Sequence, residues 1–106
     1  MKNLIAANTT SYHDQLIASL HNRDEATTYL KVALEEYEED GDTTAFLLAL
    51  RNIAEAEGGM TVLAEKTRLN RQNLYRIMSG NGNPTFQTLY AILHALGFRL
   101  SIEPLT

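Results

Sequence analysis

Apolar residues recur every three or four positions along most of the chain, which is the spacing of amphipathic helices that pack on one core. The first such stripe predicts a short helix. Its members are Tyr12, Leu16, Ile17 and Leu20. The eleven residues before the stripe lack periodicity, so they predict an N-terminal arm, or at most a short edge strand around Leu4 and Ile5.

A second helix is predicted to begin near Arg23. Asn22 is a good N-terminal cap, and Glu25 occupies the capping-box position three residues later. The predicted apolar face consists of Ala26, Tyr29, Leu30, Ala33, Leu34 and Tyr37. A third helix is predicted from its cap Asp42 through Glu57.

Two short helices follow at close quarters. They are predicted over residues 60–67 and 71–79, with a turn at Arg68 and Leu69 and an N-terminal cap at Asn70. The inward positions are predicted to be Leu63, Ala64, Leu69, Leu74 and Ile77, and Met60 and Met78 are predicted to fill the core. This spacing is typical of a helix-turn-helix.

The last helix is predicted to begin after the cap Thr85 and to end at Gly97. Apolar and polar residues then alternate over residues 98–103, which predicts one half-buried strand. Its partner could be residues 3–6, the same strand of a second subunit, or a strand of another protein. The predicted fold is therefore all-α, with five to six helices, a helix-turn-helix and a short C-terminal β-strand.

The length of 106 residues and the 44% of hydrophobic residues fit one domain with one core. Its segments are predicted as an arm and short helix (1–22), a helical acidic region (23–57), a helix-turn-helix core (58–97) and a terminal strand (98–106). No apolar run reaches the ~18 residues of a membrane span. The apolar run near the N-terminus is too short for a secretory signal. We expect a cytoplasmic protein.

The charge is divided unevenly between the two halves. Residues 1–50 carry three Lys or Arg against nine Asp or Glu, whereas residues 51–106 carry six against four. Within residues 58–99, five basic residues face the single acidic residue Glu65. The second half therefore tolerates phosphates better than the net charge of -4 suggests.

Six carboxylates crowd residues 35–42, at the end of the second predicted helix. Carboxylates there oppose the helix dipole, so this cluster is either a solvated face or a docking surface for a basic partner. For the second alternative, we predict a partner-binding surface that consists of Tyr12, Leu16, Tyr29, Glu35, Glu36, Glu38 and Glu39.

Side chains that read base edges or hold phosphates project from the predicted helix-turn-helix. The predicted DNA-binding residues are Lys66, Arg68, Asn70, Arg71, Gln72, Asn73, Tyr75 and Arg76. Tyr75 could contact a sugar or a thymine methyl group, or could pack against the loop at Asn81.

These motifs resemble the phage-repressor (Cro-like, Xre) family over roughly residues 45–100. The matching positions are Leu63-Ala64-Glu65-Lys66, Leu69-Asn70-Arg71, Leu74-Tyr75-Arg76, Gly80, Pro84-Thr85, Leu89 and Ala95-Leu96-Gly97. The chain is more similar still to the HigA-like probable addiction-module antidotes. That resemblance adds Tyr12-His13-Asp14-Gln15-Leu16, Ala26-Thr27-Thr28-Tyr29-Leu30 and Phe46-Leu47-Leu48-Ala49-Leu50-Arg51.

The resemblance implies a dimeric transcriptional repressor that binds double-stranded operator DNA. The resemblance further implies that the protein is the antitoxin of a toxin-antitoxin system. Its partner is then expected to be a small basic RelE-like toxin, and the protein is expected to autoregulate its operon. A stand-alone phage-type repressor is the alternative. Two positions depart from the family pattern. Met60 replaces a phosphate-contacting glutamine, and Arg68 replaces the usual turn glycine. Because a non-glycine residue is strained in a left-handed turn, Arg68 implies a different turn or a compensating contact.

An enzyme is not expected. The chain has no cysteine, and His13, His21 and His94 lack the spacing of ligands to one metal ion. The Gly-Asn-Gly-Asn loop at residues 80–83 lacks the lysine and the preceding strand of a nucleotide-phosphate loop. We therefore expect no metal and no cofactor.

Overall fold

A computed structural model describes residues 2–106, with the side chains of residues 11–80 and 82–106. The described chain forms six α-helices, namely α1 (Lys2–Ser19), α2 (Arg23–Asp40), α3 (Thr43–Ala56), α4 (Met60–Thr67), α5 (Arg71–Arg76) and α6 (Phe86–Ala95). A π-helical turn (Ile77–Asn81) follows α5 directly. The all-helical class predicted from periodicity is confirmed.

Helix α3 lies at the centre of the fold and packs against α1, α2, α4 and the π-helical turn. Its apolar stripe supplies three of the fully buried large side chains, Leu47, Leu50 and Ile53. The others come from the elements around it: Leu20, Leu74, Met78 and Ile92. A single cluster of buried side chains therefore holds the described helices together.

Each predicted N-terminal cap is confirmed by a side-chain hydrogen bond. The acceptor side chains of Asn22, Asp42, Asn70 and Thr85 receive the N–H groups of Glu25, Thr44, Asn73 and Thr88 at 2.9–3.1 Å. The capping box is wrong in its second half, because the N–H of Asn22 donates to the carbonyl of Ser19 at 3.1 Å. Local sequence therefore sets where these helices begin.

The prediction of an N-terminal arm or edge strand over residues 1–11 is wrong for residues 2–11, which belong to α1. Met1 lies outside the described residues. Adding residues to an existing helix is far easier than nucleating a new one. The helix that the stripe from Tyr12 to Leu20 predicts therefore extends towards the N-terminus, first through the weak helix formers of residues 8–11 and then through Ala7, Ala6 and Leu4, which favour helix without any periodicity.

The predicted C-terminal strand is also wrong for this chain, because residues 98–106 form no regular secondary structure. A strand needs a neighbour to satisfy its backbone N–H and C=O groups. The one partner considered within the chain, residues 3–6, lies inside α1. The tail therefore forms no strand ladder within the described chain.

The predicted apolar face of α2 is buried only as far as Ala33. Ala26, Leu30 and Ala33 are buried, whereas Leu34 and Tyr37 are exposed. The later turns of the helix thus present apolar side chains beside the carboxylate cluster instead of burying them in the core.

Candidate nucleic-acid interface

Helices α4 and α5 are joined by three residues, and the first of these, Arg68, has left-handed backbone angles (φ 61°, ψ 24°). Its N–H donates to the carbonyl of Ala64 at 2.8 Å, which closes the end of α4. The turn therefore has the left-handed geometry that glycine usually supplies, and the alternative of a different turn is wrong. Across the described residues, no hydrogen bond or ion pair holds the Arg68 side chain.

The underside of this two-helix unit is apolar, as predicted. Leu63, Leu74 and Ile77 are buried, and Ala64 and Leu69 are partly buried against the core. Met60 and Met78 are buried too, which confirms them as core residues. Because the inward positions are filled, the polar residues of α5 point away from the protein.

All eight predicted DNA-binding residues are exposed. Seven of them lie in the turn and on α5, within nine consecutive residues. Lys66 stands apart, because it lines a small crevice with Glu57, Ala95 and Leu96, between α3, α4 and α6. The structure thus groups the turn and α5 side chains and places Lys66 at a separate edge.

Two asparagines of the predicted set already have structural partners. The Oδ1 atom of Asn70 caps α5 by accepting from the N–H of Asn73 at 3.0 Å. The Oδ1 atom of Asn73 accepts from Nη2 of Arg76. These contacts orient the exposed face of α5, so Asn70 has less freedom to act as a reader of bases than its position suggests.

Two guanidinium groups lie near the ring of Tyr75. The Cζ atom of Arg71 is 5.5 Å from the ring centroid, and the Cζ atom of Arg51, on α3, is 5.6 Å from it. These cation–π contacts hold two positive charges beside α5. Contact of Tyr75 with a sugar or a thymine methyl group stays a prediction, and the side chain of Asn81 lies outside the described residues.

Sequence reasoning missed Arg51, because it lies twenty residues before α5 and belongs to a helix whose remaining pattern indicates core. One signal was present. Arg51 is a lone basic residue on the polar side of a stripe formed by Leu47, Leu50 and Ile53. Its position next to Tyr75 comes from the packing of α3 against the π-helical turn that follows α5.

Comparison with known proteins places this chain in a family. The family model described as "Probable addiction module antidote protein" matches residues 10–104. This chain belongs to that family. An uncharacterized protein of Haemophilus influenzae is 32% identical over 84 residues, which are 79% of this chain and 81% of the relative. No solved structure matches the chain.

Membership in the antidote family supports a role as the antitoxin of a toxin-antitoxin system, and it implies a toxin partner of some kind. Among the helices of the described residues, none is long and apolar enough to cross a membrane.

The predicted partner-binding residues of this antidote protein fall into two groups. Leu16 and Tyr29 pack against the core, and the Tyr29 hydroxyl accepts from Nδ2 of Asn52 at 2.9 Å. Tyr12, by contrast, is 73% exposed. The four glutamates Glu35, Glu36, Glu38 and Glu39 are exposed as well, beside the apolar side chains of Val32, Leu34 and Tyr37.

Proposed function

We propose that this antidote protein binds operator DNA as a homodimer, through α4 and α5 acting as a helix-turn-helix, and represses its own operon. The observation that carries the proposal is α5 itself, with an apolar underside that is buried and an outer face of Arg, Gln, Asn and Tyr side chains. A helix of this kind fits the major groove, where such side chains read base edges.

The residues divide into readers and positioning contacts. Arg71 and Gln72 lie in the first turn of α5, where residues of a recognition helix reach bases. Arg68 in the turn and Arg51 on α3, which both precede α5 in the chain, suit contacts to the DNA backbone. Phosphate contacts add affinity and register without selecting a sequence. Two copies related by a two-fold axis would contact half-sites ~34 Å apart.

The test is binding of the purified protein to the DNA upstream of its own gene, by fluorescence anisotropy, with a scrambled duplex as competitor. Alanine at Arg71, Gln72 and Arg76 together should weaken operator binding by about 100-fold or more, since each base contact contributes about 1–3 kcal/mol. Lys31→Ala on α2 is the matched control, since Lys31 is an exposed cation far along the chain from α5. Undiminished operator binding by the triple variant contradicts the assignment.

We further propose that the exposed glutamates of α2 bind a small basic RelE-like toxin. Opposite charges accelerate encounter, and the neighbouring Val32, Leu34 and Tyr37 offer apolar area for a contact core. Co-expression with the adjacent open reading frame, followed by co-purification and a growth assay, tests this role. If the two proteins do not co-purify and the antidote protein does not restore growth, a stand-alone repressor is the remaining function.

A further inference from the structure

The C-terminal tail, residues 98–106, leaves the helical core at a fixed place. The N–H of Phe98 donates to the carbonyl of Leu93 at 2.8 Å, at the end of α6. The guanidinium of Arg23 lies over the Phe98 ring, with Cζ 4.8 Å from its centroid, and Nη2 donates to the carbonyl of Gly97 at 2.7 Å. The root of the tail is therefore held by α2 and α6 together.

Beyond this root the tail is exposed and has no backbone partner. Leu100 is 40% exposed, and Ile102 and Leu105 are exposed almost completely or completely. Within the part of the chain that the structure describes, no backbone hydrogen bond joins residues 99–106 to another segment. Yet apolar and polar residues alternate here as they do in a strand with one covered face.

The tail is complementary to itself when two copies run antiparallel. With Ser101 opposite Ser101 of the second copy, Leu100 lies opposite Ile102 on one face. On the other face, Arg99 lies opposite Glu103, and the two-fold axis repeats this pair. Directly opposed residues in antiparallel strands are in side-chain contact, and opposite charges there are favourable.

Other registers lose this match. Shifting the centre to Leu100 or to Ile102 places Ser101 opposite Arg99 or opposite Glu103, so the two ion pairs disappear. A centre between two residues would place apolar residues opposite polar ones, such as Leu100 opposite Ser101 or Glu103, and mix the apolar and polar faces. The sequence of the tail thus specifies one symmetric pairing.

We propose that residues 99–103 of two copies of this protein pair as antiparallel strands centred on Ser101, and that this pairing is the contact of the homodimer. The inference rests on the dimer of the proposed function. Because two strands alone are marginally stable, we expect the free dimer to be weak and to dissociate on dilution. Ser101 is then the one tail residue that faces its own copy.

Cysteine crosslinking tests the centre of the pairing, because the natural chain contains no cysteine. Under mild oxidation, Ser101→Cys should form a disulfide-linked dimer, since opposed Cα atoms of antiparallel strands are ~4.5–5.5 Å apart, within the range of disulfides. Ser79→Cys, also an exposed serine, is the matched control and should remain uncrosslinked. Equal crosslinking at both positions overturns the register.

Charge reversal tests the paired ions, with sedimentation velocity of the full-length protein as readout. Arg99→Glu alone and Glu103→Arg alone should each raise the dimer dissociation constant about tenfold or more, because like charges then oppose each other twice. An equimolar mixture of the two variants should form heterodimers with a dissociation constant close to that of the wild-type homodimer, since each variant residue then faces the opposite charge.

Three results overturn the inference: a monomeric wild-type protein at millimolar concentration, single variants that dimerise like wild type, or a mixture that fails to form heterodimers. These results are separable from failure of the proposed function. Operator binding of the wild-type protein is measured independently. If the protein binds DNA as a dimer and the tail substitutions do not change its dissociation constant, the dimer contact lies elsewhere.

Discussion

The side chain of Arg23 occupies the space that a side chain on Gly97 would need. Gly97 has a φ of +90°, and a Cβ atom built there would overlap Nη2 of Arg23. This guanidinium donates to the carbonyl of Gly97 at 2.7 Å and to that of Leu96 at 3.1 Å. A cation at the start of α2 therefore satisfies carbonyl groups at the end of α6, where the helix dipole also favours positive charge.

Gly97→Ala should lower the free energy of unfolding by about 2–3 kcal/mol. About 1 kcal/mol comes from placing a Cβ atom in left-handed backbone, and the rest from displacing Arg23 from carbonyls that it satisfies. Equilibrium unfolding in urea measures the loss. Gly41→Ala is the matched control, because Gly41 has a φ of +71° after α2 and no atom within 4 Å of a built Cβ. Equal losses at the two glycines would show that the Arg23 contact contributes nothing.

Arg51→Ala should weaken binding of all DNA sequences alike. If Arg51 contacts a phosphate, its removal lowers the slope of log K against log salt by about one unit and leaves the preference for operator over scrambled DNA unchanged. Anisotropy titrations at several salt concentrations measure both quantities. Arg51→Lys should restore much of the slope, because it retains the charge while losing the planar contact to Tyr75. A variant with the wild-type slope would place Arg51 outside the DNA surface.

Sequence predicted the elements whose causes are local. The caps at Asn22, Asp42, Asn70 and Thr85 and the apolar underside of α4 and α5 depend on residues within one or two turns, and each is confirmed. The left-handed turn at Arg68 was harder to predict, because Arg rarely adopts this conformation. The prediction of a turn there depended on the spacing of the two helices.

Features that depend on distant parts of the chain escaped sequence reasoning. The position of Arg51 beside Tyr75 and the contact of Arg23 with Gly97 follow from how α3 and α2 pack, which periodicity does not encode. The exposure of Leu34 and Tyr37 has the same origin. An amphipathic stripe indicates which side of a helix is apolar, but it does not indicate how much of that side the neighbouring helix covers. Whether the tail forms a strand depends on a partner outside the chain.

Replacing Glu35, Glu36, Glu38 and Glu39 by glutamine should slow association with the toxin and weaken its dependence on salt. The free energy of unfolding should stay unchanged or rise by a few tenths of a kcal/mol, because carboxylates near the C-terminal end of α2 oppose its dipole. Asp40 and Asp42 are left in place, since their side chains accept from the N–H groups of Asp42 and Thr44 at 2.9 Å.

Stopped-flow association at several salt concentrations, beside urea unfolding of the free protein, measures both effects of the glutamine variant. A control variant with Asp14→Asn and Glu65→Gln removes exposed carboxylates on α1 and α4 instead. Unchanged association together with lower stability would assign the glutamates to the fold, leaving the toxin surface to be sought elsewhere.

Asn70 offers a way to separate capping from DNA contact at one position. Asn70→Ala should lower the free energy of unfolding by about 1 kcal/mol, because it removes the acceptor for the N–H of Asn73. Asn70→Asp keeps the cap and favours the positive end of α5, so stability should be at least that of wild type. The added carboxylate beside DNA phosphates should nevertheless weaken operator binding. Urea unfolding and anisotropy of the same two variants give the answer, and an aspartate variant that binds operator DNA like wild type would place this helix end away from the DNA.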